Sequence, residues 1–448
     1  MDEEETGKMT TLFEHVTAVT MDREIPVIQD AYVAVEGTKI ASVGTEPPEG
    51  TFDRVVDGAG KVLLPGFVNA HSHVPMTAMR GYGDGNNLQD WLHNYIFPVE
   101  ARWDDRAIRA CTDLGLAEMI ASGVTCVADM YMHTGTIAEQ ILEAGISANL
   151  SCGGVYFGPP EDFSPEDCSD CKNQQALTRQ WHGAGDGQIL VDASVHGEYT
   201  SNPPLWRWMA EYAAEHRLGM HVHVSETQSE HQASLERWGK TPIQALDGCG
   251  VWDCGRSLAA HCVYTTEEDW ALMVEKGISC VHNPWSNLKL GSGVAPIPDM
   301  LRAGVNIALG TDGMSSHNSA DFFSDLKLAA CLHKGIRRDP TAVTARQALY
   351  MATAGGALAL GRRDTGRIVP GYRADLILVD FEAANLVPCH DIAENLVFAA
   401  HGANVVMNMA RGKVIYKDGA FLTLDLDAIK SEVRRYALPL VFGGSPTT

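Results

Sequence analysis

An α/β fold is predicted: a TIM-like (β/α)8 barrel carrying a small β-sandwich domain built from both chain ends. Two patterns predict it. From about residue 67, eight short apolar runs alternate with longer helix-like segments, the rhythm of βα units around a parallel sheet. On either side of that region, short strand-and-turn runs appear with Gly at the turns.

The N-terminal runs are "TLFEHVTAVT", "AYVAVEGTKIASVG" and "RVVDGAGKVLLPG". The eight barrel runs are "GFVNAHSH", "VTCVADMY", "SANLSCGG", "ILVDASVHG", "GMHVHVSE", "SLAAHCV", "ISCVHNP" and "NIALGTDG". Between them lie periodic segments such as "DDRAIRACTDLGLAEMIASG" and "PPLWRWMAEYAAEHR". After a helical stretch near 341–360, strand patterns return in "GYRADLILVD" and "NVVMNMARGKVIYKDG". The expected division is residues 1–65 and 367–448 for the β-sandwich domain and 66–366 for the barrel.

Composition narrows the function. The formal net charge of −23 disfavours phosphate backbones and anionic membranes as partners. The acidic start "MDEEETGKMT" is no secretory signal, and no run approaches the roughly 20 apolar residues of a membrane span. The expectation is a cytoplasmic protein acting on a small molecule, with no nucleic-acid or membrane partner and compatible with a homo-oligomer. Of the 11 cysteines, most sit in apolar runs, as reduced thiols do. Cys168 and Cys171 form a C-x-x-C, but Cys249 and Cys254 are too loosely spaced to complete a zinc knuckle, so all four read as loop thiols.

His71 and His73 alternate at the end of the first barrel run, so both rings face one side. A buried imidazole pair needs partners, either a metal or neighbouring polar groups. Barrel chemistry gathers at the C-terminal ends of strands. There the sequence places His71 and His73 (strand 1), His196 (4), His223 and Glu226 (5), His261 (6) and Asp312 (8). Each alone reads as structural; together they read as a site for one divalent ion, zinc first and iron as the alternative. His71, His73 and His223 are the natural nitrogen ligands and Asp312 the oxygen ligand, with His221 the rival on strand 5. Strand 4 ends in "VHGEYTSNP" without a lysine to bridge two metals, which favours one ion. Glu226 is placed to carry a proton, and His261 to orient the attacking hydroxide.

The stretches "PGFVNAHSHVPMTAMRG", "HVSET", "AAHCV", "HNPWSNLKLGSGVAP", "LGTDGMSSHNS" and "GRIVPGYRADLILVD" resemble the amidohydrolase superfamily. The resemblance is to the branch holding S-adenosylhomocysteine and methylthioadenosine deaminases and the triazine hydrolases. It implies a mononuclear site of His71, His73, His223 and Asp312, with the family's H-x-x-E falling on His223 and Glu226. It implies that Glu226 shuttles a proton to the ring nitrogen while His261 and Asp312 assist hydroxide attack. "QDWL" and "FPVE" put Trp91 and Glu100 in a nucleoside pocket, Glu100 accepting from the ribose hydroxyls. His196 would contact the purine, and Ser316 matches another pocket position. His282 reads as supporting or structural, and His317 stands where relatives usually have asparagine.

One departure matters. Cys152 occupies the position where S-adenosylhomocysteine deaminases of this branch carry a carboxylate-binding arginine, and the loop after it holds Glu161, Asp162, Glu166 and Asp167. A thiol offers no charged grip on a carboxylate. The expected activity is therefore hydrolytic deamination of an adenosine-type nucleoside (methylthioadenosine, 5′-deoxyadenosine, adenosine or S-adenosylhomocysteine). Hydrolysis of another heteroaromatic ring is the alternative: a triazine, a pterin or a free purine. A non-catalytic assembly protein is the remote one, since such proteins typically lose metal ligands and none is missing here.

Overall fold

The computed structural model describes residues 9–24 and 26–445. Residues 1–8, on which most of the reading of the N-terminus as no secretory signal rests, lie outside them. Strands β1 (Thr10–Val19), β2 (Val27–Glu36), β3 (Lys39–Gly44), β4 (Arg54–Asp57) and β5 (Lys61–Pro65) come from the N-terminal end. Eight apolar runs then give β6 (Phe67–His73), β7 (Val124–Met130), β8 (Ser147–Ser151), β9 (Ile189–Val191), β10 (Ala193–Gly197), β11 (Met220–Val224), β12 (Ser257–His261), β13 (Ile278–His282), β14 (Ile307–Leu309) and β15 (Asp312–Gly313). The fourth and eighth runs each break into two strands. The chain finishes its strands with β16 (Leu376–Asp380), β17 (Val405–Ala410), β18 (Lys413–Lys417) and β19 (Ala420–Phe421).

Strands from the two ends hydrogen-bond into one nine-stranded sheet, in which β16 joins β5 antiparallel with Leu378 opposite Leu63. The middle of the chain forms two five-stranded sheets, β15-β6-β7-β8-β9 and β10-β11-β12-β13-β14, parallel throughout. Their strands are buried from end to end because helices cover them, which is why they read as continuous apolar runs rather than alternating ones.

The sequence reading carried the β domain to the chain end. Residues 426–441 are instead helical and pack on the helix Asp105–Ala121. Leu426, Ile429, Val433, Ala437 and Val441 recur at helical spacing, the signal that reading passed over. Arg106 meets Glu432 at 2.5 Å, and Tyr436 donates to Asp104 at 2.5 Å. The segment that carries Trp91 and Glu100 is also helical, from Leu88 to Glu100. Cys168 caps the helix Ser169–Trp181 and Cys171 lies in its first turn, both buried rather than loop thiols. No helix of the described residues is long and apolar enough to cross a membrane.

Phe67 opens β6 wholly buried, its ring 5.4 Å from that of Phe322 and 5.0 Å from that of Phe323. This contact pins the strand that ends in His71 and His73 against the helix Phe322–Arg337. Phe67→Ala should cost about 3–5 kcal/mol in urea-denaturation free energy through the cavity it leaves; a loss under about 1 kcal/mol would show that the two neighbouring rings collapse into the gap.

Candidate active site

The strand ends converge on a cavity of about 370 Å³, within the range of small-molecule sites. His73, His223, Asp312, Glu226, His261, His196, Glu100, Trp91 and Ser316 all line it. His71 is fully buried beneath them. The backbone itself is unusual here: Ser225, His261, Cys262 and Asp312 all have positive φ, at 50°, 75°, 49° and 62°. Non-glycine residues in this conformation are costly and persist where surrounding contacts fix them. They turn the backbone at the ends of β11 and β12 and at the start of β15.

Two groups of metal-capable atoms lie together, His71 with His73 and His223, and His71 with His261 and Asp312. Asp312 Oδ1 is 3.3 Å from His71 Nε2 and 3.2 Å from His73 Nε2, and the Nε2 atoms of His73 and His223 are 3.3 Å apart. Each ring's other nitrogen is already engaged. His73 Nδ1–H donates to the Met130 carbonyl at 2.5 Å, and His223 Nδ1–H to the His196 carbonyl at 2.6 Å.

For His71 the tautomer follows from a chain of hydrogen bonds. With the Ser151 hydroxyl donating to the Asp129 carbonyl at 3.3 Å, its oxygen is free to accept from His221 Nδ1–H at 3.4 Å. That leaves His221 Nε2 to accept His71 Nδ1–H at 2.9 Å. His71 Nε2 is then a bare lone pair, buried, without a hydrogen-bond partner and facing a carboxylate oxygen. Two negative ends in contact inside a protein call for a cation between them. The donor set therefore fits a divalent metal, and His221 sits behind His71 rather than in the cluster.

The charges agree. Burial pulls His71 down to about 3, and His223 well below the ordinary histidine value, so both rings are neutral. Burial also opposes the charged form of His73, but the hydrogen bond and charge of Asp312 push it up to about 9. Burial would raise Asp312, yet the hydrogen bond and charge of His73 hold it well below the usual carboxylate range. Ser286 and Ser316 donate to its Oδ2 at 2.5 and 2.9 Å.

Glu226 is raised by burial; its Oε1 accepts from Ser292 at 3.2 Å, and its Oε2 lies 3.7 Å from His261 Nε2. His261 is aimed by Nδ1–H donating to Asn287 Oδ1 at 2.8 Å. Glu100, likewise raised by burial, accepts from the Tyr131 hydroxyl at 2.6 Å. Burial lowers His196 to about 4, and its Nδ1 lies 3.1 Å from Thr200 Oγ1. Trp91 donates from Nε1 to the Tyr82 carbonyl at 3.3 Å.

Several residues of the site were not singled out from sequence. Glu230 clamps the turn after β11, accepting Ser225 N–H at 2.8 Å and Glu226 N–H at 2.7 Å. Asp129 does the same after β6, accepting Val74 N–H at 2.6 Å. Tyr131, Ser286 and Asn287 lay inside quoted stretches, and a polar residue at a buried strand end was the available signal. Glu161, Asp162, Glu166 and Asp167 are exposed and do not line the cavity; the acid that does is Asp170. Cys152 lines it, with its thiol 3.4 Å from Gln174 Oε1. His282 and His333 face each other at 3.4 Å away from the cavity, and His317 pairs with Asp325 at 2.8 Å.

The chain matches the amidohydrolase family over residues 62–415. It is 37% identical over 435 residues to a 5-methylthioadenosine/S-adenosylhomocysteine deaminase of Syntrophomonas wolfei, covering 97% of this chain and 100% of that protein. A 5′-deoxyadenosine deaminase of Methanosarcina mazei is 37% identical, over 96% of this chain and 98% of its own. Among solved structures, an adenosine deaminase from Xanthomonas campestris with bound zinc has a TM-score of 0.90 at 32% identity, covering 96% of this chain and 98% of that one.

His221→Ala should weaken divalent-metal affinity by about 10–100-fold, the usual cost of losing the partner that orients a ligating histidine. Equilibrium dialysis with elemental analysis reads this; an unchanged affinity would show that His71 takes its tautomer from elsewhere.

Proposed function

The chain belongs to the amidohydrolase family, and on that premise we propose that it is a metal-dependent hydrolytic deaminase of adenosine-type nucleosides, exchanging the ring amine for oxygen with release of ammonia. The observation that carries the reading is the bare, buried His71 Nε2 facing Asp312 at 3.3 Å on the floor of a cavity that also holds Glu226 and Glu100.

His71, His73, His223 and Asp312 would hold one divalent ion, with zinc the first choice. When bound, the ion supplies the positive charge that acidifies water from a pKa of about 15.7 to about 7. The chain's own groups do the rest. Glu226, raised above the usual carboxylate range by burial, delivers a proton to the ring nitrogen as the amine-bearing carbon is attacked, and later carries one to departing ammonia. His261 Nε2, aimed by Asn287, steadies the attacking oxygen from the other side of Glu226. Asp312 takes the proton of the attacking water, and the hydroxyls of Ser286 and Ser316 keep its second oxygen in place. His196 meets the purine, Trp91 closes the wall beside it, and Glu100 accepts from the ribose hydroxyls.

This reading also takes the two five-stranded arcs as one closed eight-stranded barrel over residues 66–366. Only Asp192 separates β9 from β10, only Gly310 and Thr311 separate β14 from β15, and a bridge joins Gly154 to Val195. The strands of residues 10–65 and 376–421 supply the small β domain, in which Phe13, Val33, Leu63, Leu378 and Met409 form a separate core, while the helices of 426–441 pack on the helix Asp105–Ala121.

Purified protein should carry about one divalent ion per chain and release ammonia from adenosine analogues. His71→Ala and Asp312→Ala should abolish both properties, and full activity in metal-free protein would end the proposal. Glu226→Gln should keep its metal and lose at least about 10²-fold in kcat; a near wild-type rate would mean that the proton takes another route. Because the cavity has no Lys or Arg among the described residues, 5′-deoxyadenosine and methylthioadenosine should exceed S-adenosylhomocysteine about tenfold or more in kcat/KM, a gap that Cys152→Arg should narrow. S-adenosylhomocysteine as the best substrate would overturn that ranking.

A further inference from the structure

The catalytic cluster, Glu100 and Trp91 account for the ring and the sugar. One wall is left over. It runs through Cys152, Gly153 and Val155 to Phe157, which is 74% exposed, so the cavity opens to solvent there. Among the described residues Asp170 is the only charged group on this wall, and it stands in the first turn of the helix Ser169–Trp181. Its Oδ2 accepts Val155 N–H at 2.8 Å, which fixes the carboxylate against the wall. Its Oδ1 has only long contacts, to Ser169 Oγ at 3.4 Å and Asn173 Nδ2 at 3.5 Å, and keeps acceptor capacity. Four carboxylates line the cavity (Glu100, Asp170, Glu226 and Asp312), and among the described residues no Lys or Arg does.

Resting on the deaminase reading, we propose that Asp170 is a specificity-determining residue that selects 5′-substituted adenosines carrying a protonated amine and no carboxylate. An ammonium on the 5′ substituent gains a charge-assisted hydrogen bond to Oδ1, a neutral alkyl group gains only apolar contact with Val155 and Phe157, and a carboxylate meets like charge with no cation to receive it. A zwitterionic amino-acid tail gains at one group and loses at the other.

Three substrates of matched length separate these cases: 5′-(3-aminopropylthio)-5′-deoxyadenosine, its neutral isostere 5′-butylthio-5′-deoxyadenosine, and S-adenosylhomocysteine, which adds the carboxylate to the first. For the wild-type enzyme kcat/KM should fall in that order, the amine exceeding the alkyl compound by about tenfold and mostly through KM. Asp170→Asn keeps an acceptor for Val155 N–H and removes the charge. It should bring the amine to within about twofold of the alkyl compound and raise S-adenosylhomocysteine severalfold, with 5′-deoxyadenosine within about threefold of wild type. The 5′-deoxyadenosine rate reports folding and chemistry, so a variant that misfolds is recognised, and the wild-type ranking then decides alone. An amine no better than its isostere, or an Asp170→Asn effect equal on all four compounds, overturns the proposal and leaves Asp170 as a support for Val155. Failure of every adenosine analogue to yield ammonia is a different result: it removes the deaminase reading, and this inference falls with it.

Discussion

Two imidazoles presenting Nε2 to one buried carboxylate, with a third imidazole Nε2 against the second, is an arrangement that a protein interior resists. Lone pairs of His71 and His223 and the oxygen of Asp312 are gathered where, among the described residues, no lysine or arginine lines the cavity to answer them. The arrangement persists because each ring is held from behind. Met130 and His196 offer main-chain carbonyls, which can only accept, and so fix the Nδ1–H form of His73 and His223 beyond dispute. His71 has no carbonyl behind it. Its tautomer is set two residues away by the single proton of Ser151, through His221. The ligand deepest in the site thus depends on the longest hydrogen-bond chain.

The same logic governs the backbone. A parallel strand would carry its last side chain outward along the sheet, yet the chemistry needs it turned over the floor. Left-handed residues at Ser225, His261, Cys262 and Asp312 make that turn at a cost of order 1–3 kcal/mol each. Buried carboxylates hold the exposed N–H groups that such turns create: Glu230 takes two after β11, and Asp129 takes one after β6. Burial pushes Glu230 up to about 8 and Asp129 to about 7, so their cost is met partly by protonation. Rigidity at the strand ends is what lets Glu226 and His261 stand 3.7 Å apart without collapsing onto each other.

Much of this was legible in the chain. Apolar runs ending in His-x-His, His-x-x-Glu and Thr-Asp-Gly mark strand ends, because only there does a continuous buried run give way to groups that need partners. Those positions became the cavity floor. Less legible was anything that depends on which atom faces which. His221 and His223 alternate onto one face and look equivalent in sequence; the structure separates them by depth. Glu161, Asp162, Glu166 and Asp167 looked like the acidic rim because they crowd one loop, but a loop's charges turn to solvent. Asp170 escaped notice because it lies at a helix start, where an acid is unremarkable. The helix at 426–441 follows strand-like runs, and only the i, i+3, i+4 spacing of its apolar residues marks it.

The charge of the cavity ties these threads together. Four carboxylates around about 370 Å³, with no Lys or Arg beside them among the described residues, make a pocket whose charged side chains other than histidine are all acidic. Such a field favours a neutral heteroaromatic ring whose nitrogen can take a proton from Glu226. It opposes nucleotides, whose phosphate would lie along the wall that Asp170 occupies. Burial inside low-dielectric walls raises Glu226 and Glu100 together, with His261 opposing the shift at Glu226 and the Tyr131 hydroxyl opposing it at Glu100, and so poises each toward its protonated form. At Glu226 that poise serves acid–base chemistry. At Glu100 the Tyr131 hydroxyl draws the proton balance back toward the acceptor form that a ribose diol requires. One environment therefore gives two carboxylates different partners, the Tyr131 hydroxyl at Glu100 and the Ser292 hydroxyl with His261 at Glu226.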